Sequence, residues 1–134
     1  MNDNNILLNP RIVVVQKLYA YNLNKDSELT FPKHRYKKFI KDVVNGTIER
    51  QELIEDLMSK ELKNDINKNK TGLIVNLMIM AAIYEFMFMH KTPIKVIIKE
   101  YTHVADFFVE SSQKSFLNAI LDKVSKVSRL VPEE

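Results

Sequence analysis

The sequence contains no cysteine, and only two glycines stand among its 134 residues. Without cysteine the chain cannot form a disulfide framework, a thiolate zinc site, an iron–sulfur cluster or a cysteine nucleophile. The two glycines are far apart, so no glycine-rich loop is present that could cradle a phosphate. The three histidines, His34, His90 and His103, lack the spacing of a metal site. We therefore expect a binding protein without a metal or cofactor, and not an enzyme.

The chain also lacks a recognisable secretory signal and a clear membrane span. Residues 1–9 are polar and carry Asp3 before any basic residue, unlike a signal peptide. The longest apolar stretch, residues 73–89, has 15 apolar residues among 17 but is interrupted by Asn76 and Glu85. Because this length is near the lower limit for a span, a buried helix at the centre of a bundle is favoured. We therefore expect a cytoplasmic protein that does not enter a membrane.

Apolar residues recur at spacings of three and four in several segments, which predicts an all-α fold of about six to seven helices. Asn9-Pro10 is typical of a helix start, and the first helix is expected to continue to Leu23. Its β-branched run at residues 12–15 would also suit a strand, but the helical periodicity is favoured.

Breaks in this periodicity predict the helix ends. A second helix is expected from about Pro32, with Tyr36 on its inward face, and Gly46 is expected to end it. The expected caps of later helices are Thr47 for the third, Thr92-Pro93 for the next to last, and Ser111 or Ser112 for the last. A polar connector, residues 63–72, is expected to join an N-terminal lobe, 1–62, to a C-terminal lobe, 73–134. Both lobes would share one compact core in a single domain, 1–134.

The positive charge of the chain is unevenly distributed. Residues 1–70 hold 13 Lys and Arg against 10 Asp and Glu, whereas residues 71–134 hold 7 of each. Within the first half, a basic cluster is formed by Lys33, Arg35, Lys37, Lys38 and Lys41. Clustered cations are what a phosphate-binding surface requires, because each neutralised phosphate releases counterions. A solvated helix face would carry the same pattern, and charge alone leaves both interpretations open.

Several ordered motifs give the chain a resemblance to a known family. Residues 81–86 read Ala-Ala-Ile-Tyr-Glu-Phe, residues 92–100 read Thr-Pro-Ile-Lys-Val-Ile-Ile-Lys-Glu, and residues 116–123 read Phe-Leu-Asn-Ala-Ile-Leu-Asp-Lys. In the first half, Arg11 with Gln16-x-Leu18-Tyr19, and then Val43-Val44-x-Gly46, complete the series. In this order and spacing the motifs resemble those of the NusB family over nearly the whole chain.

The resemblance to NusB implies a fold of two small helical lobes and an activity without catalysis. A NusB-type protein would bind the boxA element of ribosomal RNA leader transcripts together with NusE, a ribosomal small-subunit protein. It would suppress termination as part of an RNA polymerase antitermination complex. Some family members pair with themselves, so the resemblance leaves a homodimer open.

The positions that match the family, together with the basic cluster, give two sets of candidate site residues. The candidate RNA-binding residues are Arg11, Lys17, Tyr19, Lys33, Arg35, Lys37, Lys38 and Lys41. The candidate NusE-binding residues are Tyr84, Glu85, Glu100, Ser112, Phe116 and Asn118. Two of these roles depend on exposure. Tyr19 either stacks on a base or fills the interface between the lobes, and Asn118 needs hydrogen-bond partners if it is buried.

The N-terminal segment departs from the family pattern. NusB proteins usually carry several arginines before the first helix, and only Arg11 is present here. Two hypotheses follow. Either the basic cluster compensates for the missing arginines, or the chain is a NusB-like protein-interaction module with weak or no RNA binding.

Overall fold

The computed structural model describes residues 8–66 and 71–129 of the chain. Within these residues there are six helices and no strand. The helices are α1 (Pro10–Leu23), α2 (Lys37–Glu49), α3 (Gln51–Glu61), α4 (Leu73–Phe88), α5 (Ile94–Phe108) and α6 (Ser111–Ser128). The prediction of an all-α fold is confirmed, and the β-branched run of α1 is helical because its side chains pack into the core.

Helix α4 lies at the centre of the fold and contacts each of the other five helices. From Val75 near its start to Met87 near its end its side chains are buried, apart from half-buried Asn76 and Tyr84. Burying one large apolar side chain contributes about 1.5–3 kcal/mol, which explains why a helix this apolar occupies the centre. The prediction of a buried central helix is confirmed. Among the described residues, no helix is long and apolar enough to cross a membrane.

Helices α1 and α2 run side by side in the same direction. At one end the guanidinium of Arg11 lies 4.8 Å from the centre of the Phe39 ring. At the other end Leu18 lines a small cavity together with Thr47. Buried apolar residues from all six helices form one core cluster. The basic cluster therefore lies at the end of the fold where α1 begins.

Gly46 does not end α2, contrary to the sequence prediction. The helix continues through Gly46 and Thr47 to Glu49, and the Arg50 N–H donates to the Gly46 carbonyl. A Cβ at Gly46 would overlap the ring of Tyr84 on α4. Glycine is therefore needed here for the close approach of two helices rather than for a left-handed stop.

The other helix starts either match the sequence prediction or differ from it by small shifts. The cap at Asn9 is confirmed, since its Oδ1 accepts from the Arg11 N–H at 3.0 Å. Helix α3 follows Arg50 instead of a Thr47 cap, because Thr47 lies inside α2. The caps of the last two helices are Pro93 instead of Thr92, and Glu110, which forms a capping box with Gln113, instead of Ser111 or Ser112.

Candidate nucleic-acid interface

The basic cluster forms an exposed cationic surface at the start of α2. All five side chains, Lys33, Arg35, Lys37, Lys38 and Lys41, are exposed. None of them forms an ion pair with another described residue. Their charges are therefore free to interact with an external anion.

The position of this cluster on α2 adds to its positive potential. Lys37 and Lys38 begin the helix, its first turn has no acidic residue, and its N-cap Tyr36 makes no side-chain capping bond. A helix N-terminus carries partial positive charge, so cations there are disfavoured by a few tenths of a kcal/mol or more. Lys37 and Lys41, four residues apart, lie on one face. An anion bound at this surface would relieve the repulsion.

Two aromatic rings lie within the basic cluster. Tyr36 is 44% exposed, and the Arg35 guanidinium lies 5.5 Å from the centre of its ring. The ring of Phe31 lies 5.9 Å from the Lys41 Nζ. The prediction that Tyr36 faces inward is wrong, because α2 begins at Lys37 and Tyr36 precedes its first turn. The alternation of Phe31, Tyr36 and basic residues in the sequence was the available signal for this surface.

Arg11, a candidate RNA-binding residue, lies inside the fold. It is 9% exposed, and its Nη2 and Nε approach the two Glu85 carboxylate oxygens at 2.6 and 3.0 Å. The Tyr101 hydroxyl donates to Glu85 Oε2 at 2.5 Å. This geometry is a bidentate ion pair with a third hydrogen bond, and it joins α1, α4 and α5.

The protonation of this network follows from its burial. Burial opposes the charge of Arg11, but the hydrogen bond to Glu85 and its negative charge outweigh that effect and raise the pKa of Arg11. Burial, and then the charge of Glu85, raise the pKa of Tyr101 well above its ordinary value. Arg11 is therefore charged and Tyr101 remains a hydrogen-bond donor. Glu85, a candidate NusE-binding residue, is fully buried. An external contact by Arg11 or Glu85 would require this pair to open, so we place neither on a binding surface.

The other two candidate RNA-binding residues, Lys17 and Tyr19, lie on α1. Lys17 is half-buried, and Tyr19 is 38% exposed. Residues two apart on a helix point in nearly opposite directions, so these side chains do not face one partner together. The exposure of Tyr19 fits base stacking better than filling an interface. Tyr19 lies roughly 12 Å further along α1 than Arg11. Because α1 and α2 run parallel, this part of α1 lies away from the basic cluster at the start of α2.

The candidate NusE-binding residues lie on three helices, α4, α5 and α6, and differ in exposure. Tyr84 is half-buried between Gly46 and Phe88, whose ring centre is 5.3 Å away, and desolvation raises the pKa of Tyr84. Glu100 is half-buried on α5. On α6, exposed Ser112 and half-buried Phe116 share a face at a spacing of four. Asn118 is exposed and points away from that face. Because its side-chain amide is not buried, it needs no hydrogen-bond partner within the protein.

These features define a class of protein: a small all-helical domain with an exposed cationic and aromatic surface. Within residues 8–66 and 71–129, no group of three or more potential ligands is placed to hold a metal ion.

Comparison with known proteins identifies the family. The model of the NusB family matches residues 8–126. The chain therefore belongs to the NusB family, as the sequence motifs predict. A solved structure of T. maritima NusB superposes with a TM-score of 0.71 at 25% identity, covering 87% of this chain and 88% of that one.

Relatives in this family carry the name transcription antitermination protein NusB. The protein from Mesorhizobium japonicum is 25% identical over 107 residues, which cover 80% of this chain and 69% of the relative. The protein from Rickettsia bellii is 33% identical over 85 residues, which cover 63% of this chain and 54% of the relative. The matched region thus spans about half to two thirds of these relatives' own length.

Proposed function

We propose that the chain is an RNA-binding transcription antitermination factor of the cytoplasm. With NusE it binds the boxA element of ribosomal RNA leader transcripts and suppresses termination by RNA polymerase. Membership of the NusB family supports this function, and the observation that carries it is the basic cluster. Five exposed cations, none of which forms an ion pair with another described residue, lie around the start of a helix whose first turn has no acidic residue.

The physical basis of RNA binding is electrostatic. RNA holds condensed counterions, and each phosphate neutralised by Lys or Arg releases some of them. If the five cluster residues each contact one phosphate of single-stranded RNA, log K should fall with log salt at a slope of about −3.5. Binding at this surface should therefore weaken steeply as salt rises.

NusE is proposed to bind at a different surface. Ser112 and Phe116 form a continuous face on α6, with the half-buried ring of Phe116 as its apolar anchor. Aromatic anchors of this kind supply much of the energy in protein interfaces. Tyr84, Glu100 and Asn118 lie at other positions, and we assign them no shared contact.

A substitution of the basic cluster tests the proposal. Replacing Lys33, Arg35, Lys37, Lys38 and Lys41 with glutamine should weaken binding of labelled boxA RNA and flatten its salt dependence. The matched control replaces five exposed lysines that form no ion pair with another described residue, namely Lys25, Lys63, Lys91, Lys95 and Lys99. Both variants lose the same charge. Equal affinity of the two variants would contradict RNA binding at the cluster.

A second candidate function is a NusB-like protein-interaction module with weak or no RNA binding. It is favoured by one observation at the N-terminus. Residues 1–10 contain no Lys or Arg, and Arg11 is engaged with Glu85 inside the fold. Capture of NusE that survives ribonuclease, with no binding of boxA RNA alone, would favour this candidate.

A further inference from the structure

We infer that Tyr36 is a base-stacking platform for single-stranded RNA within the basic cluster. This inference rests on the proposed RNA-binding function and adds a residue that neither family motif nor charge pattern indicates. It would make the cluster a surface that holds both the phosphates and a base, rather than a purely electrostatic one.

The first observation is that the Tyr36 ring is presented to solvent by a fixed turn. The Tyr36 N–H donates to the Nδ1 of His34 at 2.9 Å, and the Lys37 N–H donates to the His34 carbonyl at 3.2 Å. Tyr36 occupies the N-cap position of α2, and its carbonyl accepts from the Ile40 N–H at 3.0 Å. Tyr36 remains 44% exposed although it directly precedes a helix that packs into the core. An exposed large aromatic held by a local turn incurs little ordering cost when it binds a partner.

The second observation is the charge around the ring. The Arg35 guanidinium lies over Tyr36 at 5.5 Å, and the tilted ring of His34 is centred 6.0 Å away. Lys33, Lys37 and Lys38 are exposed beside it in the sequence. A base that stacks here would have its own phosphates beside these cations. Stacking surfaces within positively charged grooves are the usual means of binding single-stranded nucleic acid.

The chemistry of stacking selects single-stranded RNA as the ligand. In a duplex the bases are stacked on each other, so their faces cannot reach a protein ring. A tyrosine ring accepts the face of any base, so binding should tolerate sequence changes at the stacked position. Acidic peptides would also be attracted by the lysines, but they offer no planar face for Tyr36.

The test compares four proteins with a labelled single-stranded boxA RNA. They are the unchanged chain, Tyr36→Ala, Tyr36→Phe and Phe107→Ala. Phe107 is a matched control, because it is 45% exposed on α5 and belongs to neither set of candidate residues. Loss of one stacked base should weaken binding by about five- to 150-fold in Tyr36→Ala. Tyr36→Phe keeps the ring and should bind like the unchanged chain, as should Phe107→Ala.

Two further readouts separate stacking from charge and from misfolding. The slope of log K against log salt should be the same in Tyr36→Ala as in the unchanged chain, because no cation is removed. Tyr36→Trp would create the chain's one tryptophan, since the sequence has none. Its fluorescence should change when single-stranded RNA binds and should not change with a duplex of the same sequence.

The outcomes distinguish this inference from the proposed function. If the unchanged chain binds RNA and Tyr36→Ala binds equally well, stacking at Tyr36 is refuted while RNA binding stands. If Tyr36→Ala loses affinity but Tyr36→Phe loses as much, the ring is not the contact and the inference also fails. If the unchanged chain binds no RNA, the proposed function fails, and this inference with it.

Discussion

Removing one partner of the buried pair between Arg11 and Glu85 should cost far more stability than a surface substitution. Glu85 is fully buried, and Arg11 is 9% exposed. Arg11→Met or Glu85→Leu alone leaves an uncompensated buried charge, which costs about 3–5 kcal/mol. For a chain of this length, each kcal/mol lowers the melting temperature by roughly 3–5 °C.

The double variant Arg11→Met/Glu85→Leu should be more stable than either single variant. It removes both charges, and the remaining cost is the Tyr101 hydroxyl, which loses its acceptor and costs about 1–3 kcal/mol. Urea unfolding followed by circular dichroism at neutral pH measures all three variants. Single variants that cost less than about 1 kcal/mol, or a double variant whose cost equals the sum of both, would refute this reasoning.

Three further predictions follow from the same geometry. Gly46→Ala should destabilise the fold by about 1–3 kcal/mol in thermal unfolding, although alanine normally favours a helix. Adding Tyr84→Ala should rescue this variant, because it removes the ring that the new Cβ would overlap. A Gly46→Ala variant more stable than the unchanged chain would contradict this packing. Because the pKa of Tyr101 is raised in the folded chain, this hydroxyl ionises first in the unfolded chain as pH rises. The contribution of Tyr101 to the free energy of unfolding is therefore complete below about pH 10 and falls above it. Tyr101→Phe should flatten that fall, and an unchanged dependence of stability on pH would contradict this prediction. Arg11→Met/Glu85→Leu should bind boxA RNA in an anisotropy titration as the unchanged chain does, because Arg11 acts inside the fold; a large loss of affinity would return Arg11 to the RNA-binding set.

The central helix and the helix start at Asn9 could be predicted from the sequence because their signals are local. Helix α4 is apolar on every side, and such a helix has only the core to occupy. Asn9 caps the helix that Pro10 begins, and both residues act within one turn. Local patterns of this kind need no knowledge of distant residues.

The sequence analysis missed interactions that depend on a distant partner. Glycine commonly ends helices, and only the close approach of the Tyr84 ring on α4 explains why Gly46 lies inside α2. Arg11 and Glu85 are 74 positions apart, so no local pattern could pair them. Both were assigned to external partners because of their positions in the motifs that resemble the NusB family.

The exposure of Tyr36 was missed for a different reason. The apolar periodicity of α2 extends back to Tyr36, but the helix begins one residue later. A residue outside the helix does not follow its phase, so Tyr36 turned outward into the basic cluster. The interleaved aromatic and basic residues were a weaker signal than the periodicity, although here they were the better guide.

The most direct test of RNA binding with NusE is fluorescence anisotropy of labelled boxA RNA across a salt series, with and without NusE. We predict measurable binding by the chain alone, tighter binding when NusE is present, and affinity that falls steeply as salt rises. A second NusB protein serves to establish that the NusE preparation is active. No binding in either condition, with active NusE, would contradict the proposed antitermination function and leave a NusB-like scaffold that binds other proteins.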